Sequence, residues 1–433
     1  MSATLIALPP ARPTLKPGFR LTAEWLVLGL ALLLRVAVVL SVVLTDAPRW
    51  FFSRGLEMGW LAQSMLDGLG LSSPFGVPTG PTAFIAPGYP LIVAAAFRLC
   101  GSYTVRAALA LMALNIAANL LTVWLAMRLG SRLFGRSAGL AAGLIWASAL
   151  PLWWMPTIFW ETSLSACMLL GAIAFAVEGR PSNGLRWCLF GAACALGGLI
   201  NPALLPVLIA VVCWKAVVAD GSWPRRLGNL SLAALALALV FAPWPIRNAR
   251  AFHAFIPLRT TVGFELWMGN RPGADGFLNE AIFPAEDKHE LAEYRRLGEV
   301  AYTQGKQTEA LAAIRHNPAR FVQLTGIRTW RFWSGNGNKG GSPLYAAHAL
   351  FTTVFGLAGL WLLARRRGWR LTGLFALPLL LFPLPYCITH AEFRYRLVLD
   401  PLLTVLAGAA VVALWQLCVR DRATKPASCE AVP

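Results

Sequence analysis

Long apolar runs separated by short polar clusters recur along the whole chain. Runs of about 17–25 apolar residues are long enough to cross the hydrocarbon of a bilayer as helices. The pattern predicts such spans near 24–45, 105–128, 137–155, 161–178, 185–200, 203–219, 228–246, 345–364, 371–389 and 398–418, about ten in all. Three intervals break the rhythm. A polar loop from about Asp46 to Gly88 follows the first run, carrying three acids (Asp46, Glu57, Asp67), two arginines (Arg49, Arg54) and many Gly and Pro. A block from about Arg247 to Pro343 holds nine acids and reads as helices broken near Gly305 and Pro318. The short stretch "THAEFRYRLVLDP" separates the last two runs. Within the opening loop, "GLEMGWLAQSMLDG" predicts a short helix, and Asp67 in "LDGLG" predicts a turn.

Composition agrees with this pattern. Of 433 residues, 57% are hydrophobic and only 13% charged, which places the chain among integral, multi-span membrane proteins. A formal net charge of +18 would suggest nucleic acid in a soluble protein. Here the basic residues sit in short clusters between apolar runs, so no nucleic-acid partner is expected. Such clusters set orientation. With ten spans, Arg12–Lys16–Arg20, Arg128–Arg132–Arg136, Arg180–Arg186, Lys215–Arg225–Arg226, Arg365–Arg366–Arg367–Arg370 and Arg420–Arg422–Lys425 all fall on one side. That side is expected to be the cytoplasm, with both termini there. Counting Phe84–Cys100 as a span would put the Arg128–Arg136 cluster outside. This short segment opens with Pro87, Gly88 and Pro90, so it is expected to be a juxtamembrane or re-entrant helix at the outer face. The first run is too long for a signal-peptide core and is read as a retained span. The eight cysteines show no metal or disulfide spacing. No internal repeat supports the inverted-repeat design of many transporters.

Acids are rare in the apolar part. Between Tyr89 and Ile246 only Glu161, Glu178 and Asp220 occur, and the last two fall at cytoplasmic ends. Glu161 in "WWMPTIFWETS" stands at the outer end of the fourth run; an acid at the hydrocarbon boundary is a functional candidate unless it merely favours a helix N-terminus. Glu57 on the short loop helix is placed to serve as a general base, if an acceptor proton lies within hydrogen-bond reach. Asp46, directly after the first run, is the alternative base. Arg247 in "PWPIRNAR" and Arg394 and Arg396 in "EFRYR" lie at outer boundaries, against the orientation bias, and arginine forks match phosphate oxygens. Lipid headgroups are the plainer partner for them. Tyr89 and Asn270 complete the substrate-binding candidates. Arg35, mid-way in the first run, is expected to snorkel; Asn115 and Asn119, four apart, are expected to join helices. His390 and Glu392 give weak grounds for a metal.

Four stretches, "LAQSMLDGLG…TGPTAFIAPGYPLIVAAAFRLCG", "MRLGSRLFGRSAGLAAGLIWA", "PWPIRNARAFHAFIPLRTTVGFELWMGN" and "FRYRLVLDPLL", resemble in order and layout the C-type glycosyltransferases, the membrane enzymes that use polyprenyl-phosphate sugars. Protein mannosyltransferases and the lipid A aminoarabinose transferase are of this kind, and the last motif is similar to that of family 39-like bacterial members. The resemblance implies an all-α polytopic protein with juxtamembrane helices in the first outer loop and a small extracytoplasmic α-rich domain. It implies an essential acid in the first outer loop, matched by Glu57, and a second in the next outer loop, matched by Glu161. The family's first acid is commonly Asp nearer the first span, which keeps Asp46 in play. No DxD-like doublet occurs, so the metal ligands are unknown, with a divalent ion left open as a cofactor.

The expected organisation is a cytoplasmic N-terminus (1–23), a catalytic membrane module (24–246, with outer loop 46–104), an extracytoplasmic domain (247–344), C-terminal membrane helices (345–418) and a cytoplasmic tail (419–433). The expected function is transfer of a sugar from an undecaprenyl-phosphate-type donor to an extracytoplasmic acceptor (lipid, glycan or protein), at the outer face of a bacterial cytoplasmic membrane. A lipid or sugar transporter or flippase, and an O-antigen-type polymerase or ligase, are the alternatives.

Overall fold

The computed structural model describes residues 22–53, 56–178, 183–219 and 221–424, without the side chains of 46–53, 56 and 420–424. The clusters' Arg12, Lys16, Arg20, Arg180 and Lys425, as well as Arg54 and Asp220, lie outside the described residues, as do the side chains of Asp46, Arg49, Arg420 and Arg422. Regular structure among the described residues is helical, apart from two isolated bridges, Ser72 with Pro81 and Phe277 with Ala391. In chain order the helices are α1 (Ala23–Ser53), α2 (Leu56–Leu66), α3 (Gly88–Cys100), α4 (Val105–Phe134), α5 (Arg136–Ser148), α6 (Leu150–Trp154), α7 (Thr162–Val177), α8 (Gly184–Ile200), α9 (Leu204–Val218) and α10 (Trp223–Phe241). They continue with α11 (Pro243–Phe252), α12 (Val262–Asn270), α13 (Lys288–Leu297), α14 (Glu299–His316), α15 (Pro318–Ser334), α16 (Pro343–Arg367), α17 (Trp369–Leu381), α18 (Leu384–Ile388), α19 (Phe393–Arg396) and α20 (Asp400–Thr424).

This is a multi-pass membrane protein. All ten apolar runs are helical, but they differ in reach. Six segments are long and apolar enough to cross a bilayer: α1, α4, α10 with α11, α16, α17 with α18, and α20. The α5–α6 pair, bent by 61°, makes a seventh if taken as one broken span. Helices α7, α8 and α9 have 16, 17 and 15 residues. At ~1.5 Å per residue each covers roughly 22–26 Å, short of a hydrocarbon core of about 30 Å. They account for the difference between seven and ten. Helix α3, with 13 residues, is shorter still and packs on α2, α4 and α8.

Two expectations about local structure need correction. The loop expected to start at Asp46 does not: α1 continues to Ser53. A helix that leaves the hydrocarbon can keep its own backbone bonds with polar side chains, so loss of apolar character does not end it. Gly305 does not break a helix either. It lies inside α14, and the breaks fall at Gly298, whose φ of +77° suits glycine, and at Asn317, whose side chain caps α15.

Between apolar helices in lipid, association depends on close packing, which favours small residues at the contacts. Gly191 of α8 sits against the backbone of Ala233 in α10, Gly356 and Gly359 of α16 against Leu403 and Leu406 of α20, and Gly408 of α20 against Ala138 and Ala142 of α5. A Cβ on Gly359 would collide with the Leu406 carbonyl, whereas one on Gly305 would meet nothing within 4 Å. Gly359→Ala should therefore lower the thermal midpoint of the detergent-purified protein, by overpacking on the order of 1–3 kcal/mol. Gly305→Ala should raise it, by up to about 1 kcal/mol; equal effects would contradict this packing.

Candidate active site

Broken helices in an apolar bundle leave backbone carbonyls that water cannot reach, so side chains must satisfy them. Arg35 serves this purpose and does not snorkel: it is fully buried and donates to Ala147 O and Trp146 O (both 3.2 Å), where α5 ends, and to Ala31 O (3.0 Å). A cation at a helix C-terminus also complements the helix dipole. Asn115 of α4 performs the same task for the next break. Its Nδ2 donates to Pro156 O (3.1 Å) and Ile158 O (3.2 Å), and Asn119 Nδ2 donates to Ser163 Oγ (3.1 Å). Both asparagines join helices as expected. The turn they hold presents Trp160 and Glu161 directly before α7.

Facing this turn is residues 389–396, between α18 and α20. The Ala391 N–H donates to Gly276 O (3.1 Å), Phe393 N–H donates to Asn338 Oδ1 (2.7 Å), and Gly269 and Gly337 press on this segment without room for a Cβ. The clamp aims Arg394 over the Trp160 ring, its guanidinium carbon 4.0 Å from the ring centroid, while Nη2 donates to Glu392 Oε2 (2.9 Å). Tyr395 stacks on Tyr386 at 4.2 Å, and its hydroxyl lies 2.9 Å from His390 Nε2. Arg259 and Glu265, at the edge of α12, form a second pair at 2.9 Å.

Glu57, Glu161 and Glu265 all feel the charge of Arg394, Glu161 and Glu265 that of Arg259 as well, and Glu280 and Glu392 repel Glu57. Burial pushes the Glu57 carboxyl up to about 7 against the pull of Arg394, with Glu280, Glu392 and Glu161 adding repulsion. Burial also raises Glu161, opposed mainly by Arg394. Burial, then the cations Arg259, Arg394 and Arg328, lowers His390 to about 3, so its imidazole is neutral at physiological pH. The pocket can hold one proton on a carboxyl near neutrality, beside an arginine whose charge is constant.

Of the residues singled out in the sequence, Glu57, Glu161 and Arg394 lie close enough to feel one another's charge. Asp46 lies on α1, and its side chain is outside the described residues. Tyr89 is buried in the α2–α3–α4 core. Arg247 donates to Leu71 O (2.5 Å) and Thr82 O (2.7 Å), holding the opening loop down. Arg396 is fully buried, ion-paired with Asp400 and donating to Ala349 O (2.8 Å), Thr352 Oγ1 (2.9 Å) and Thr353 Oγ1 (2.7 Å). Asn270 donates to Leu266 O and Ile388 O, and its Oδ1 accepts from Arg328. Arg259, Glu265 and Glu280 were not foreseen. The only available signal was a pair of opposite charges six residues apart in a block full of charges.

The fit of a metal to the pocket is poor as placed. Among the described residues, the group of three His, Cys, Asp or Glu with ligand atoms within 4.8 Å of one another is His289, Glu290 and Glu293. It lies in α13, where Lys306 already bridges Glu290 and Glu293 at 2.9 and 3.1 Å. Among the described residues the carboxylates around Arg394 make no such group.

No family model and no curated protein sequence matches the chain. Among solved structures, it superposes on the archaeal oligosaccharyltransferase AglB from Archaeoglobus fulgidus in complex with an inhibitory peptide and a dolichol-phosphate. The TM-score is 0.51 at 14% identity, covering 95% of this chain and 52% of that one. The same enzyme in complex with Zn and sulfate gives a TM-score of 0.54 at 12% identity, over 93% and 50%. The chain thus spans about half the length of AglB. ArnT from Cupriavidus metallidurans bound to undecaprenyl phosphate is a looser likeness: TM-score 0.38, 15% identity, 92% of this chain and 81% of that one. The fold is that of the C-type glycosyltransferases.

Replacing Asn115 by Leu removes both of its donors to the Pro156–Ile158 turn. Pro156 O loses this donor, while Ile158 O keeps the Trp160 N–H (2.9 Å); the loss should cost about 1–3 kcal/mol, seen as a lower thermal midpoint. A variant as stable as the wild type would mean that the turn does not depend on Asn115.

Proposed function

We propose that this protein transfers a sugar from a polyprenyl-phosphate donor to a hydroxyl acceptor at the outer face of the membrane. The observation that carries the proposal is that Glu57, its carboxyl raised to about 7, lies within electrostatic reach of Arg394 and Glu161, with Arg394 held over the Trp160 ring beside Glu161. A base must be free at working pH yet able to take a proton, and a pKa near neutrality meets both needs. The AglB fold, seen there with a dolichol-phosphate, supports a lipid-linked donor.

In this mechanism the acceptor O–H proton passes to Glu57 as the acceptor oxygen bonds to the sugar's anomeric carbon. The bond from that carbon to the phosphate oxygen breaks, and polyprenyl phosphate leaves with the electron pair. Arg394 stabilises the charge that grows on the departing phosphate, the larger electrostatic contribution. Glu392 and the Trp160 face fix the guanidinium in place. Glu161 orients the sugar by accepting hydrogen bonds from its hydroxyls. Arg247 and Arg396 serve the reaction indirectly, by holding the opening loop and the α19–α20 corner.

The purified protein, incubated with radiolabelled polyprenyl-phosphate sugars, should move label from the lipid to an acceptor. Glu57→Gln should slow this by roughly 10²–10⁴-fold with unchanged expression. Near-normal turnover in the variant would shift the base role to Asp46, and vectorial movement of intact lipid-linked sugar would favour a transporter.

The base must be unprotonated to act. Activity should therefore rise with pH through about 7 and level off above it. The protonated carboxyl is the form favoured in the folded state, so Glu57's own contribution to stability is present below the ordinary carboxylate range and is lost as pH rises through about 7. A flat pH–rate profile between 5.5 and 8.5, taken as approximate limits bracketing that value, would contradict this assignment.

A further inference from the structure

A second cavity lies at the other end of the bundle. Its volume is about 760 Å³, and Trp214 and Val217 of α9, Arg226 of α10, and Trp369, Arg370 and Leu380 of α17 line it. Trp369 begins α17, and the pocket residue Tyr386 stands in α18 at the far end of the same run. About 17 residues at ~1.5 Å each put the two sites on the order of 25 Å apart. Nothing in the proposed transfer uses this cavity.

Its lining changes character along its depth. Leu380, 67% accessible, lies about three turns along α17 from Trp369 and faces where lipid tails would lie, with Ala376 and Leu377 before it. Val217, in the last turn of α9, instead sits at the mouth beside Arg226. Trp214 donates Nε1–H to Arg370 O (3.0 Å), and Trp369 is 80% accessible; tryptophan prefers the headgroup level of a bilayer. Arg226 stacks on Trp223 and donates to Val217 O (2.8 Å) and Gly221 O (3.1 Å), which fixes its position. These two bonds occupy two of its five N–H groups. Arg370 has no ion-pair partner among the described residues. Among the described residues no acid lines the cavity. Two guanidinium groups at the mouth, tryptophans at headgroup depth and aliphatic walls below match one kind of occupant in a membrane protein: a phospholipid with an anionic headgroup. The basic clusters that gather at this end favour the leaflet rich in such lipids.

We propose that the cavity between α9, α10 and α17 is a binding site for an anionic phospholipid, with Arg226 and Arg370 holding its phosphate and the Leu377–Leu380 face of α17 receiving an acyl chain. The site is separate from the sugar-transfer pocket and stands whether or not that reading of the pocket holds.

Native mass spectrometry of the detergent-purified full chain, titrated with dioleoyl phosphatidylglycerol or dioleoyl phosphatidylcholine, tests the proposal. The wild type should retain one phosphatidylglycerol more tightly than phosphatidylcholine. The double variant Arg226→Gln/Arg370→Gln should weaken that retention about tenfold to thirtyfold, the effect of two basic side chains near an anionic headgroup. The control Arg365→Gln/Arg366→Gln, which removes two exposed charges outside the cavity, should leave it unchanged. If the first double variant is unstable, Gly373→Phe provides an independent test. A Cβ there meets nothing within 4 Å, so the ring fills the cavity with both arginines intact and should displace the lipid. Equal retention of the two lipids by the wild type, equal losses in both double variants, or full retention in Gly373→Phe would overturn the proposal.

Discussion

Broken helices in an apolar bundle must find hydrogen-bond partners inside the protein, and the whole pocket end of this molecule follows from that requirement. Arg35 closes the end of α5, Asn115 closes the turn before α7, and Arg328 donates to Gly269 O and to Ile388 O (3.0 Å) where α12 and α18 end. Arg396 differs: paired with Asp400 at the entrance to α20, it ties that corner to Ala349 O and the Thr352 and Thr353 hydroxyls of the unbroken helix α16. Each of the first three clamps is a buried polar residue that would be expensive alone and is stabilising because a broken backbone needs it. The breaks themselves supply the irregular backbone that aims Glu161, Glu392 and Arg394 at one volume. A bundle of unbroken helices would have no such opening.

The pocket holds more carboxylates than arginines, and this imbalance sets its chemistry. Carboxyls gathered in a partly dry volume repel one another, so one of them is held near neutrality. Glu57 is that group: burial is the main cause, Arg394 opposes it while also bound to Glu392, and Glu280, Glu392 and Glu161 add repulsion. The same arginine stacks on Trp160, and its Nε is buried without a partner. A guanidinium with spare donors in a fixed orientation is suited to receive an oxyanion at little cost in ordering.

Much of this was legible in the sequence. All ten apolar runs are helices, α2 and the Asp67 turn lie where the loop's composition put them, and the scarcity of acids in apolar surroundings picked out Glu161. Outward position picked out Arg394. The same criterion also selected Arg247 and Arg396, which hold backbone, because an arginine that cradles a carbonyl and one that awaits a ligand look alike until their partners are known. Arg35 was misjudged for the same reason: a mid-span arginine can reach water or a broken helix, and only tertiary structure decides. Arg259 and Glu265 were hidden in a charged block, where opposite charges are common and carry no contrast. The length of α1 was hidden too, since a helix leaving the hydrocarbon loses its apolar signature without losing its hydrogen bonds.

One buried carboxylate joins parts of the chain that are far apart in sequence. Glu299, the first residue of α14, accepts from Thr82 Oγ1 (2.5 Å), Ala83 N–H (2.7 Å), Thr260 Oγ1 (2.8 Å) and Tyr294 O–H (2.6 Å). All of its strong acceptor positions are filled by donors from the opening loop and from the helical block that follows α11. These two segments are therefore packed as one unit, although α3 to α11 lie between them in the chain. Insertions or recombination in one without matching change in the other would leave a desolvated acid unpaired. The opening loop and the block after α11 are therefore tied by one carboxylate, and neither can shift without breaking part of its shell of donors.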